Sequence, residues 1–163
     1  MASDDDTIII RGRTRMLADE EGFSELPYRD TKGLWTFGIG FCLERTYITP
    51  EQWKHLLDNK LIDVRISREG AEYLTQQRIG IIESGLSRLF KNWDALNEVR
   101  KSVLISMAYQ MGVDGVAGFT KMCKAINRGN FVEAAKEGLD SKWARIDTPA
   151  RAKRHMIQLE RGY

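Results

Sequence analysis

The chain has 163 residues, of which 25 are Lys or Arg, 23 are Asp or Glu and 2 are His, a formal net charge of +2. That length suits one globular domain, or two small lobes sharing a long connection, and excludes a large multidomain machine. Hydrophobic residues at 42% and charged residues at 29% exclude global disorder and a helical membrane protein; no apolar run approaches the ~20 residues needed to cross a bilayer.

The chain start lacks the features of a secretory signal. Asp4, Asp5 and Asp6 stand where such a signal carries positive charge, and Ile8 to Ile10 is too short for its apolar core, so a protein not addressed for export is expected. Cys42 and Cys123 have no metal-type spacing and lie apart from His55 and His155, so no zinc site and no cofactor are expected. Reduced buried thiols are the expectation for such a cytosolic chain, with a Cys42–Cys123 disulfide as a minor alternative. Charge is uneven: residues 1–60 hold 8 basic and 11 acidic side chains, whereas 61–163 hold 17 and 12. The C-terminal group Lys142, Arg145, Arg151, Lys153 and Arg154 reads either as a solvated helix face or as a surface for a polyanion.

In chain order, a first helix is expected from Ile9 to Glu20, ending near Gly22. Between Glu25 and Cys42 the chain turns to strand formers around Asp30-Thr31-Lys32-Gly33, a β-hairpin signal. Thr49-Pro50-Glu51-Gln52 is a helix start with a capping box, predicting a short helix to about Leu61. Ser67 caps a longer run to about Phe90, striped by Ala71, Leu74, Ile79, Ile82, Leu86 and Leu89. Asn92 is expected to cap a buried helix carrying Val99, Val103, Leu104, Met107 and Ala108, closed by a turn containing Gly112, Gly115 and Gly118. Helices at Lys121–Asn127, Phe131–Leu139 and Pro149–Leu159 complete the chain, the last opened by Thr148-Pro149. All four tryptophans, Trp35, Trp53, Trp93 and Trp143, are assigned to packing.

The predicted fold is α+β and predominantly helical: a small β-bearing lobe over about 13–66, a linking helix over 67–90 and a helical lobe over 91–163, with the first helix free to pack on the latter. Such two-lobe proteins commonly bind ligands between lobes. Candidate chemistry concentrates in the hairpin. Glu21 ends the first helix and Asp30 sits in the turn, a carboxylate pair of the kind that breaks glycosidic bonds, and Thr36 adds a hydroxyl able to hold water. Spacing alone makes this a weak signal, since two carboxylates nine apart occur in most proteins. Gly38-Ile39-Gly40 lacks the third glycine and following helix of a nucleotide loop and reads instead as a place of close backbone packing.

Together Glu21-Gly22, Tyr28-Arg29-Asp30-Thr31, Gly33 and Trp35-Thr36-Phe37-Gly38-Ile39-Gly40 resemble the active-site signature of the T-even phage lysozymes, glycoside hydrolase family 24. The resemblance continues through Tyr109-Gln110-Met111-Gly112, Gly115 to Phe119, Glu133-Ala134-Ala135, Ser141-Lys142-Trp143 and Thr148 to Arg154. It implies a lysozyme-like fold and a peptidoglycan muramidase that cleaves with inversion. Glu21 then matches the general acid, Asp30 the carboxylate assisting water, and Thr36 the hydroxyl that places the water; Arg151 matches a supporting cationic residue that approaches and orients the acid. Inversion would set the two carboxyl groups about 6.5–9.5 Å apart.

The resemblance further implies substrate contacts at Cys42, Tyr109, Gln110, Met122 and Glu137. Three of these, Cys42, Met122 and Glu137, depart from the residues of the best-known member. Phe41 departs too, replacing a histidine, and is expected to pack. The reading is a phage endolysin with peptidoglycan as partner, no nucleic acid, no metal and no membrane insertion. It acts as a monomer held in the host cytoplasm until a holin-type factor opens the membrane, and works on the wall from the periplasm. The rivals are a lytic transglycosylase and a non-catalytic wall- or nucleic-acid-binding module.

Overall fold

The computed structural model describes residues 4–43, 45–46, 48–62 and 66–163, with side chains from Ile8 onward. It is α+β: among the described residues there are seven α-helices and three strands, one small sheet inside a helical majority. The chain divides into two compact units, Met1–Ile79 and Gly80–Tyr163, and the division falls inside one long helix.

The first unit opens with α1 (Asp4–Glu21), which buries Arg13, Thr14, Leu17 and Ala18 on one face. Gly22 ends it in the left-handed region at φ +75° and donates its N–H to Ala18 O at 3.0 Å. Three antiparallel strands follow in sequential order: β1 (Ser24–Arg29), β2 (Trp35–Gly38) and β3 (Phe41–Cys42). Tyr28 pairs with Thr36 and Arg29 with Trp35, while Thr36 pairs with Cys42 and Phe37 with Phe41. Phe41 is 3% exposed and meets Phe37 edge-on at 5.7 Å, the packing role expected of it.

The predicted capping box of α2 (Pro50–Asp58) is present: Gln52 N donates to Thr49 Oγ1 at 3.2 Å, and Thr49 N donates to Gln52 Oε1 at 2.8 Å. The helix stops three residues before the expected Leu61, because Lys60 takes a left-handed φ of +55° and Leu61 N reaches back to Leu56 O at 2.8 Å. In α3 (Arg68–Leu89), Ser67 Oγ accepts from Gly70 N at 3.0 Å as predicted, and Ala71, Leu74, Ile79, Ile82 and Leu86 are all buried.

The second unit is helical. In α4 (Glu98–Ala117), every residue from Val103 to Tyr109 is buried, matching the expected core helix. Its cap differs from expectation: Asn97 accepts from Arg100 N at 3.0 Å, whereas Asn92 spends its amide on Ile126 O at 2.9 Å and precedes a single 3₁₀ turn. The expected closing glycine turn is instead an interruption at Gly112 (φ 80°, ψ 162°), after which the helix resumes to Ala117. α5 (Thr120–Asn127), α6 (Phe131–Leu139) and α7 (Pro149–Arg161) follow near their predicted bounds, with α6 packed against both others. A π-helical turn over Trp143–Asp147 precedes α7, and Thr148 places Pro149 at its start without lending a side-chain cap.

Two tryptophans depart from the packing assignment. Trp93 and Trp143 are buried, but Trp35 is 42% and Trp53 39% exposed. Trp35 instead supports a guanidinium, with Arg29 Cζ 4.4 Å from its ring centroid. Among the described residues no helix is long and apolar enough to cross a membrane, and no cluster of His, Cys, Asp or Glu could hold a metal ion.

Candidate active site

The site of the first unit is built from three local devices. The first is the end of α1, which leaves Glu21 half-buried as its last residue. The second is the β2–β3 turn, where Gly38 and Gly40 both adopt φ +61° and Ile39 between them is fully buried. A Cβ at Gly40 would lie 3.1 Å from Glu21 Cβ and 3.2 Å from its Cγ and Oε2, and one at Gly38 would lie 3.1 Å from Ala71 Cβ. The two glycines therefore let the turn close on α3 on one side and on the Glu21 carboxyl on the other.

The third device is the hairpin turn. Asp30 N donates to Leu34 O at 3.0 Å and Gly33 N to Asp30 O at 2.9 Å, closing the loop with Gly33 at φ +76°. Asp30 Oδ1 accepts from Lys32 N at 2.8 Å and Leu34 N at 2.9 Å. The Leu34 amide first, then the Lys32 amide and the Lys32 and Arg45 charges, hold its carboxyl below the usual carboxylate range despite an opposing desolvation. From the other side, Arg29 lies over Trp35 and donates to Gly33 O.

Thr36 is 4% exposed, and its Oγ1 donates to Leu34 O at the long distance of 3.4 Å. Its register neighbours are Tyr28 and Cys42, so these three side chains form one row across the sheet. Burial first, then the Glu21 and Asp30 charges, push the Tyr28 phenol above its ordinary value. Both carboxylates thus act on one group, Tyr28, which the sequence reading quoted within a motif but gave no role. The signal that could have found it is its position two residues before Asp30 on a predicted strand.

Apart from Cys42, which lies on β3 of the first unit, the remaining candidates lie in the second unit. Tyr109 and Met122 are 4% and 1% exposed, so each offers little surface to a dissolved ligand. Gln110 Oε1 accepts from Trp143 Nε1 at 2.9 Å. Glu137 stands 3.8 Å from Lys121 Nζ, and with Met122, Phe119 and Trp143 it lines a cavity of about 580 Å³. Arg151 is half-buried in the first turn of α7. Cys42 is half-buried and Cys123 buried, and both are free thiols.

A helical α+β protein whose hairpin sets an ionised carboxylate, a second carboxylate and a buried threonine around one small sheet carries the equipment of a glycosidase. A sequence model of the phage lysozyme family matches residues 18–154. The chain is 33% identical over 162 residues to probable T4-type lysozyme 1 of Dictyostelium discoideum, covering 90% of this chain and 92% of that protein. Probable T4-type lysozyme 2 of the same organism is 32% identical with the same coverage. The pre-baseplate central spike protein Gp5 of Enterobacteria phage T4 is 30% identical over 149 residues, 85% of this chain but 26% of that protein. The chain belongs to the phage lysozyme family, whose members are cell-wall glycosidases acting on peptidoglycan.

Proposed function

We propose that the protein is a muramidase that hydrolyses the β-1,4 bond between N-acetylmuramic acid and N-acetylglucosamine, with Glu21 as general acid, Asp30 as the carboxylate assisting water and Thr36 placing that water. The observation that carries the reading is the Asp30 turn, in which two backbone amides and two nearby cations favour the ionised form a base requires. With Oδ1 committed to those amides, Oδ2 is the oxygen that receives the water's proton. The water then attacks the anomeric carbon from the face opposite the leaving oxygen, and Glu21 protonates that oxygen, which is the inverting course.

A lytic transglycosylase needs the acid but no second carboxylate, so an Asp30 held ionised favours hydrolysis. The biological setting we propose is that of a monomeric phage endolysin. It accumulates in the host cytoplasm, reaches the periplasm once a holin opens the inner membrane, and lyses the cell. The deciding experiment is digestion of purified peptidoglycan by the wild type beside Glu21→Gln, with mass spectrometry of the released muropeptides. Hydrolysis predicts reducing-end products and an inactive variant. Products one water lighter would replace the hydrolase by a transglycosylase, and equal activity of the two proteins would overturn the mechanism.

A further inference from the structure

Tyr28 lies on the strand that leads into the Asp30 turn, paired with Thr36, and has no role in the acid, base and water assignments above. It pairs in register with Thr36, whose other neighbour is Cys42, and lies two residues before Asp30 on the same chain. The Glu21 side of the site is fixed independently, by the close approach of Gly40 to the Glu21 carboxyl. Tyr28 is 37% exposed, in contrast to Thr36 beside it at 4%. Its ring therefore presents open surface next to the buried Thr36 on the same row of the sheet.

Resting on the muramidase reading, we propose that Tyr28 is a further substrate-contact residue: its ring forms the platform for the sugar whose glycosidic bond lies between Glu21 and Asp30, and its hydroxyl donates to an oxygen of that sugar. The chemistry suits the position. A sugar ring presents an apolar face edged by hydroxyls, and tyrosine offers a flat apolar face edged by one donor. Burial first, and then the two carboxylate charges, hold the phenol above its ordinary value of 10.0, so it remains a hydrogen-bond donor at neutral pH. The contact is made at the bond being broken, and its loss falls on turnover.

The test uses the full-length chain in two arms. Tyr28→Phe, which keeps the ring, is expected to lower kcat about three- to tenfold, the size of one neutral hydrogen bond, with an unchanged melting temperature. Tyr28→Ala is expected to lower kcat/KM about a hundredfold by losing the platform as well. Wild-type turnover in Tyr28→Phe, with Glu21→Gln inactive, would overturn the hydroxyl contact while leaving the muramidase reading intact. Glu21→Gln at full activity would instead overturn the muramidase reading itself.

The second arm does not depend on activity. In Glu21→Gln labelled with ¹³C at tyrosine Cζ, and with Tyr28 assigned by its loss in Tyr28→Phe, an alternating N-acetylglucosamine–N-acetylmuramic acid tetrasaccharide is titrated in. The Tyr28 signal should move saturably, whereas that of Tyr163, 80% exposed near the chain end, should not. A static Tyr28 signal overturns the proposal, whether the sugar binds elsewhere or not at all.

Discussion

Replacing Gly40 by alanine tests the local architecture of the site more sharply than removing a carboxylate, because it moves Glu21 without changing it. The new Cβ would stand 3.1 Å from Glu21 Cβ and 3.2 Å from Cγ and Oε2, so the carboxylate must give way by a few tenths of an ångström. Gly40 also holds φ +61°, and an alanine there costs about 1–2 kcal/mol in backbone energy. For a chain of this size that lowers the melting temperature by roughly 2–8 °C. Gly129→Ala is the control: it has φ +73°, open space within 4 Å and a place in the turn between α5 and α6. Both variants should lose comparable stability, measured by thermal unfolding followed by circular dichroism. Only Gly40→Ala should lose activity, by about tenfold or more in a peptidoglycan-release assay run well below both melting temperatures, since a displacement of ~1 Å costs up to about a hundredfold. Equal and near-wild-type activity in both variants would refute the claim that the β2–β3 turn sets the position of Glu21.

Further outcomes are expected at Asp30, Cys123 and Arg100. Asp30→Asn keeps an oxygen for the Lys32 and Leu34 amides whereas Asp30→Ala does not, so both should lose about 10²–10⁴-fold in turnover but only the alanine should also loosen the hairpin in hydrogen exchange. Because the Asp30 carboxyl lies below its ordinary 3.8, its stabilising contribution should be complete above about pH 4 and fade as pH falls through its lower folded value; urea midpoints of wild type and Asp30→Asn should converge there. Cys123 is 7% exposed, donates to Val116 O at 3.3 Å and is pushed up to about 11 by burial, so at pH 8 a thiol reagent should modify Cys42 readily and Cys123 only on unfolding. That raised value means stability is complete below pH 9 and falls through pH 11, by up to about 2–3 kcal/mol relative to Cys123→Ala in urea titrations. Arg100 donates to Leu159 O at 2.9 Å and Glu160 O at 3.0 Å with its guanidinium 3.6 Å from the Phe131 ring centroid, so Arg100→Ala should cost about 1–3 kcal/mol, and Arg100→Lys should restore only part of it in the same titrations.

Local chemistry carried far in this protein. The capping box at Thr49 and Gln52, the Ser67 cap, the stripe of α3 and the Asp30–Gly33 turn are decided by residues within four positions of one another, and each forms as the sequence predicts. The same short reach explains the errors. Asn92 and Asn97 are equally good caps in isolation, and the choice between them rests on Ile126 O, thirty-four residues away, which takes the Asn92 amide. Trp35 and Trp53 look like core anchors by size, but only the packed chain decides which large apolar groups find cover, and these two do not.

A net charge of +2 names no partner, whereas the ordered glycine, aromatic and carboxylate motifs by themselves are enough to point to the family and to Glu21, Asp30 and Thr36. What those motifs could not contain is distance. That Gly40 lies against the Glu21 carboxyl, and that Tyr28 pairs with Thr36, follows from strand register and from the meeting of a turn with a helix end. A side chain's partners across a sheet depend on which residues pair, and a one-residue change of register would reverse every face, so only the folded chain could decide that Tyr28 stands beside Thr36.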